Sequence, residues 1–263
     1  MLNCNVPLTP HNLLDNSNFR NPVNQRGRTE ASGNGYFIDR WGNYNGTSKV
    51  VSSGIQVNAN KDSAAFLYQY IKALRDGTYT FAAKVNGNIV LRVIQISGAT
   101  VTSINGDKAA YTGGYLVVIY ANDDKFEFDF RVESGATITV EWAALYEGAY
   151  DASTLPAYQP KGYAAELAEC KRYYQTRDIS NYKVVVLGEE LYFAIEHPDM
   201  RIAPSITIIN PIANENGSIT NMNSGGKFAT EIRTITKDRT IVYVATGTSG
   251  KSYGVSYTAS ADL

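Results

Sequence analysis

Phe126-Glu127-Phe128-Asp129-Phe130-Arg131-Val132 alternates apolar and charged side chains without a break. A period of two places Phe126, Phe128, Phe130 and Val132 on one face of an extended strand and Glu127, Asp129 and Arg131 on the other. The strand is therefore half buried, with its acids on a solvated face. Residues 36–41, 78–85, 89–96, 114–120 and 136–146 also read as strands. They are separated by Asn86-Gly87, Asn105-Gly106-Asp107, Asn122-Asp123-Asp124 and Ser134-Gly135, residue types that accept tight turns. Strands at turn spacings of about 8–12 residues, with nothing of helical length between them, predict an antiparallel sandwich or jelly roll.

Beyond this unit the pattern changes once. Residues 151–162, with Pro156 and Pro160, carry no period and read as a linker or packed connector. Ala164, Leu167, Cys170 and Tyr174 then recur at helical spacing, with Glu166, Glu169 and Arg172 off the stripe. So short a helix is marginal alone, and its stripe must dock on a β domain or on copies of itself around an axis. After it, residues 182–187, 190–197, 204–210, 228–235, 240–246 and 252–260 read as strands, and the polar stretch 214–227 reads as loops. The predicted fold class is all-β: two antiparallel β-sandwiches, an N-terminal jelly roll and a smaller C-terminal sandwich, joined by a short α-helix. The expected organisation is an N-terminal arm over 1–11, the jelly roll over 12–150, the linker over 151–162, the helix over 163–176 and a distal sandwich over 177–263.

Composition narrows the function classes. The 263 residues carry a net charge of −1, and Lys and Arg are scattered rather than clustered, which argues against nucleic acid as a partner. No apolar run approaches the roughly 20 residues that span a bilayer, and the start Met1-Leu2-Asn3-Cys4-Asn5 lacks the basic and apolar regions of a signal peptide. The expectation is no membrane insertion and no self-encoded export. Cys4 and Cys170 form neither a disulfide framework nor a zinc pattern, and Cys170 reads as a small buried hydrophobe. Nineteen Tyr suit the strands of an all-β protein and equally suit surfaces that stack on sugars.

The chemistry-bearing residues point the same way. Acids that might act in pairs on a glycosidic bond are Asp123, Asp124, Glu127, Asp129, Glu141, Glu189 and Glu190, but Glu127 and Asp129 fall on a solvated strand face and Asp123 and Asp124 in a turn. A triad needs a histidine, and only His11, in the lead-in, and His197, before Pro198 at a strand end, are available. The expectation is no catalysis. Binding by stacking is favoured instead, because a pyranose offers an apolar face to an aromatic ring and hydroxyls to polar residues at its rim. Tyr44, between Asn43 and Asn45, combines both. Asn214, Asn216, Asn221, Asn223 and Lys227 offer further hydrogen bonds from distal loops. Trp41 and Trp142 lie within strand patterns and are assigned to the core.

Residues 12–19 (Asn-Leu-Leu-Asp-Asn-Ser-Asn-Phe), 21–27 (Asn-Pro-Val-Asn-Gln-Arg-Gly) and Ile38-Asp39-Arg40-Trp41 resemble the opening of tail-fibre, receptor-binding proteins from phages and prophages of Firmicutes. Residues 141–148 and 167–175 are similar to that family's end of the first domain and its connecting helix. Met200-Arg201-Ile202-Ala203-Pro204-Ser205 resembles its distal domain, and Ala261-Asp262-Leu263 fits its ending. The resemblance implies a homotrimer with a jelly roll like a carbohydrate-binding module and a distal domain that contacts a bacterial host. It also implies a virion-tail location. Ala164, Leu167, Cys170 and Tyr174 would be the trimer contact, and residues 1–11 an arm able to meet other tail proteins. No cofactor is expected beyond a possible structural Ca²⁺, which Asp15, Asn16 and Glu141 would hold with the oxygen ligands a hard cation prefers. The expected function is attachment to a cell-surface carbohydrate without catalysis. A polysaccharide depolymerase or esterase on the same frame and a structural spacer of a tail are the alternatives.

Overall fold

The computed structural model describes residues 10–105, 109–183, 191–245 and 251–262, with only the backbone of 178–183. The expected arm over 1–11 lies outside the described residues except for Pro10 and His11. The chain forms two compact units, divided between Glu166 and Leu167. Almost all of the regular structure is antiparallel β, as predicted.

The first unit is a jelly-roll-like sandwich. Its strands are β1 (Glu30–Ser32), β2 (Gly35–Ile38), β3 (Trp41–Tyr44), β4 (Gly46–Val51), β5 (Gly54–Ala59), β6 (Ala65–Lys72), β7 (Gly77–Val85), β8 (Asn88–Ser97), β9 (Thr100–Ser103), β10 (Ala109–Tyr111), β11 (Gly114–Asn122), β12 (Lys125–Val132) and β13 (Thr137–Glu147). One sheet runs β1-β4-β5-β13-β7-β8-β9 and the other β10-β11-β12-β6-β3-β2. The turns behave as their residues demand. Asn86-Gly87 and Asp123-Asp124 both have positive φ at the two central positions, the geometry that matches strand twist in tight hairpins.

The core lies between the sheets. Phe126, Phe128, Phe130 and Val132 of β12 are fully buried, as the alternation predicts. Each such side chain contributes about 1.5–3 kcal/mol by leaving water. Phe81 of β7 meets Phe128 and Phe130 edge-on at 5.5 and 5.6 Å, and Phe19 and Trp41 close one end of the layer at 4.9 Å.

Residues 12–19 act as a plug on that end. Asn12 accepts from the amides of Leu14 and Leu145 and donates to Ser17 and the carbonyl of Ala143. Gln69 clamps the backbone of Asp15 through both its N–H and its C=O, and the Trp41 indole donates to the same carbonyl. Buried backbone groups of a segment outside any sheet must be satisfied this way, which explains why Asn and Gln are concentrated here.

Two expectations fail in this unit. Trp142 does not enter the core. A β-bulge between Val140 and Trp142 shifts the register against β7, so Ile138 and Val140 point inward before it and Ala143 and Leu145 after it. The indole faces outward and stacks on Tyr158 with centroids 4.7 Å apart and planes within 5°. Residues 151–162 are thereby a packed connector, not a free linker. The other failure is the helix, α1, which spans Tyr163–Lys171. Tyr174 already belongs to β14 (Tyr174–Lys183), where pairing with the last strand overrides the helical spacing. Ala164 is exposed, Leu167 half-buried and Cys170 buried, so the four-residue stripe is not one continuous face. Glu166, placed off the stripe by its spacing, is buried and accepts from the amide of Asn16.

The second unit is also all-β. Its further strands are β15 (Leu191–Glu196), β16 (Ser205–Ile209), β17 (Ser218–Asn221), β18 (Lys227–Ala229), β19 (Glu231–Ile235), β20 (Arg239–Val244) and β21 (Ser252–Ser260). β21 is central, flanked by β14 on one side and by β16 and β17 on the other, while β15-β20-β19 form a separate sheet. Tyr253, Val255, Tyr257 and Ala259 of β21 are buried with Phe193, Ile195, Ile208 and Val242. The predicted loop 214–227 contains β17, because Ser218 and Thr220 are small enough to be buried at a sheet position. The predicted strand 228–235 is broken at Thr230 into pieces belonging to different sheets. The predicted strand 182–187 falls mostly on residues 184–190, outside the described residues.

Candidate functional site

The outer face of the six-stranded sheet carries a groove of about 380 Å³ lined by Tyr44, Phe66, Tyr68, Tyr70, Val117, Ile119, Glu127 and Asp129. β6 builds its aromatic side. Ala65, Leu67 and Gln69 point into the core, which leaves Phe66, Tyr68 and Tyr70 outward, one ring for every 7 Å or so along the strand.

Register sets the rest. Tyr44, Phe66, Arg131 and Tyr115 form one row across β3, β6, β12 and β11, and Gly42, Tyr68, Asp129 and Val117 form the next. Tyr70, Glu127 and Ile119 form a third. Gly42 has a specific part in this. A Cβ there would lie 2.2 Å from Cζ of Tyr68, so the phenol ring occupies the space a side chain would need and lies over β3. Tyr68 meets Tyr70 at 5.3 Å, and Tyr44 meets Phe66 at 6.0 Å.

The polar side of the groove comes from β12. Asp129 is only 2% exposed, and its Oδ1 is buried without a hydrogen-bond partner among the described residues. Burial first, and then the Glu127 carboxylate to which it is hydrogen-bonded, hold the Asp129 carboxyl well above its ordinary range. The Tyr70 hydroxyl is pushed up for the same two reasons, and it too is hydrogen-bonded to Glu127. The cations nearby lie on rings: Lys125 Nζ sits 5.4 Å from the centroid of Tyr70, and the Arg131 guanidinium 5.8 and 5.3 Å from those of Phe66 and Tyr115.

The expectation of a solvated acidic face on β12 is thus overturned. Aromatic neighbours on β6 and apolar ones on β11 rise around Glu127 and Asp129 and take them out of bulk water. Tyr44, 45% exposed, is the predicted sugar-stacking residue that the structure does bring to the groove. Asn43 is not. It is buried, donating to the carbonyls of Gly33 and Gly46 and accepting from Ser48, which ties the β3–β4 corner. Asn45 is a turn residue with φ of 52° whose amide donates to Asn34.

The distal candidates are mainly turn architecture. Asn221 is buried and accepts from the amides of Asn223 and Ser224, and Asn223 accepts from that of Ser252. Asn214 has φ of 53°, Asn216 bridges to Ile209, and Lys227 pairs with Glu215. They belong to the second unit and the groove residues to the first.

The proposed calcium ligands do not fit a cation. Asp15 is engaged by Arg40 at 3.1 Å and Lys161 at 3.4 Å. Glu141 is engaged by Arg20 and by Lys84. The Asn16 side chain is saturated by the amide and carbonyl of Val23 and the carbonyl of Asp39. Among the described residues, no three acidic, histidine or cysteine side chains converge as a metal cluster.

Hydrolytic chemistry is poorly served. Glycosidase carboxyls stand about 5–5.5 or 6.5–9.5 Å apart to flank a glycosidic bond, whereas Glu127 and Asp129 are in direct hydrogen-bond contact. His197 is buried between Thr240 and the carbonyl of Pro198, each 3.4 Å from a ring nitrogen, and is no exposed base. Glu189 and Glu190 lie outside the described residues. What the groove offers is a concave aromatic surface with a carboxyl pair at its side, suited to holding an amphipathic ligand. No protein-family model matches the chain, and no curated protein matches it.

Proposed function

We propose that this chain is a non-catalytic glycan-binding protein, and that it serves as a receptor-binding subunit of a phage or prophage tail, attaching to a cell-surface carbohydrate of a bacterial host. The groove of Tyr44, Phe66, Tyr68 and Tyr70 beside Glu127 and Asp129 carries the first part of this reading. Sugar rings pair an apolar face with equatorial hydroxyls, and this groove pairs aromatic rings with the half-buried Glu127 carboxylate on its wall. The tail assignment rests on the sequence resemblance. Homotrimer formation belongs with it, because weak single-site glycan affinities become useful when several copies act together.

The test is adsorption of the purified protein to a panel of Firmicutes cells and to their isolated wall polysaccharides, with Tyr68→Ala and Tyr44→Ala alongside. A loss of about tenfold in affinity is expected for Tyr68→Ala, corresponding to about 1.4 kcal/mol. Equal binding by wild type and both variants would remove the groove from the reading, and a monomer by light scattering at micromolar concentration would remove the trimer.

A further inference from the structure

Glu127 and Asp129 are neighbours on the groove face of β12, and Tyr70 stands directly opposite Glu127 on β6, so the Tyr70 hydroxyl and Asp129 are the hydrogen-bond partners of Glu127 on the protein side. Two carboxyl groups hydrogen-bond only when one carries a proton, because an ionised carboxylate is acceptor-only. The geometry also says which one. Asp129 is enclosed, with a buried Oδ1 that no donor meets among the described residues, a setting hostile to a charge. Glu127 is half-buried on the groove wall. A carboxylate has about four lone-pair sites, so after Tyr70 and Asp129 it keeps acceptor capacity toward the groove.

We infer that Glu127 is the polar ligand contact of the groove, that Asp129 is a positioning residue donating a shared proton to it from behind, and that the pair selects an uncharged saccharide whose hydroxyls donate to Glu127 while its apolar face lies on the rings. This deepens the glycan reading above and rests on it. The groups facing the pair are Tyr68 and Tyr70 on β6, Tyr115 on β11, and Lys125 and Arg131 on β12, with Val117 and Ile119 apolar beside them. The pair's single negative charge is offset by Lys125 and Arg131 on the neighbouring rings, so an ammonium-bearing sugar finds no net attraction. The carboxylate of a uronic acid has no proton to donate to Glu127. Raising the pH until Asp129 ionises places two like charges side by side and removes the donor that orients Glu127.

Two measurements test this. Carboxyl carbon-13 NMR of the ligand-free full chain, titrated from pH 4 to 9, is expected to show Asp129 losing its proton far above the ordinary carboxylate range, with Glu127 shifting in response. Independent titration of both near pH 4 would overturn the shared proton. Calorimetric titration then compares neutral, amino and uronic-acid oligosaccharides released from bacterial wall polysaccharides, against wild type, Glu127→Gln, Asp129→Asn, Asp129→Leu and Tyr68→Ala, at pH 5.5 and pH 9. At pH 5.5 Asp129→Asn, whose amide still donates to Glu127, is expected to keep binding neutral oligosaccharides, whereas Asp129→Leu, which has no donor, is expected to lose tenfold. Glu127→Gln is expected to lose tenfold or more, and wild type, unlike Glu127→Gln and Asp129→Asn, to weaken a further tenfold at pH 9. Loss of binding in Asp129→Asn at pH 5.5, or preference for amino or uronic sugars, overturns the inference while Tyr68→Ala still weakens binding and so upholds the groove. Failure of every oligosaccharide to bind wild type, or indifference to Tyr68→Ala, removes the glycan reading itself.

Discussion

Gly42→Ala isolates the step by which a glycine in one strand shapes the aromatic platform on the next. The new Cβ would stand 2.2, 2.5 and 2.6 Å from Cζ, Oη and Cε2 of Tyr68. Carbon atoms settle at about 3.5–4.0 Å, so the ring must retreat by about 1.5 Å. All three contacts are with the far end of a side chain on the outer face, so Tyr68 swings aside rather than the β3 backbone moving. The loss is then the Tyr68–Tyr70 edge contact and part of the ring's burial, about 1 kcal/mol, at the low end for overpacking. Both tryptophans, Trp41 and Trp142, lie in the first unit, so selectively excited tryptophan fluorescence during urea unfolding reports that unit. Wild type, Gly42→Ala, Tyr68→Ala and the double variant make a cycle. Gly42→Ala should cost about 1 kcal/mol alone and nothing when Tyr68 is already alanine, a coupling of about 1 kcal/mol. Glycan affinity should fall about tenfold with the single variant, the loss also expected for Tyr68→Ala. Equal cost of Gly42→Ala in both backgrounds would refute the reasoning, since the strain would then lie in the backbone and not in the ring.

Three further outcomes follow from the same geometry. Asn16→Ala strips partners from the amide and carbonyl of Val23 and the carbonyl of Asp39, at about 1–3 kcal/mol each, and denaturant melts should show a loss of at least 3 kcal/mol. Asp15→Ala takes the Asp15 carboxylate away from the buried Arg40 guanidinium, 2% exposed, and should cost about 3 kcal/mol by the same measurement. Asp129 has a folded pKa above its unfolded one, so its contribution to stability is fully present below the unfolded pKa of about 4 and is lost as pH rises through the folded value. Melts across pH 4–9 should therefore show wild type declining relative to Asp129→Asn, with the variant the more stable above that titration. Parallel profiles would contradict the direction of the shift.

The fold was legible where one side of a strand is apolar and the other charged, as in β12 and β21. It was not legible in β6, which received no strand assignment: its inward residues are Ala65, Leu67 and Gln69 and its outward ones Phe66, Tyr68 and Tyr70, so hydropathy does not alternate although burial does. The groove was missed for the same reason. Tyr44 alone was found, because two asparagines beside it mimic a sugar-binding loop, yet those asparagines are structural. Trp142 was misplaced by a bulge that no local pattern announces. The residues carrying the family resemblance at 12–19 turn out to be scaffold, since the Asn12 and Asn16 side chains are spent on backbone groups and the backbone of Asp15 is held by Gln69 and Trp41.

The acids of β12 show why one strand's alternation could not reveal its function. A single extended segment says which residues share a face, but whether that face meets water depends on the heights of its neighbours' side chains. Here β6 supplies three rings and β11 supplies Val117 and Ile119, and between those walls Asp129 passes from a solvated carboxylate to an enclosed acid. The same register buries Phe126, Phe128 and Phe130 on the other side. A slip of one residue would send the phenylalanines into the groove and the acids into the core, so the hydrophobic layer that stabilises the sandwich also fixes the ligand face. The buried phenylalanine layer thus fixes which side chains β12 presents to the groove.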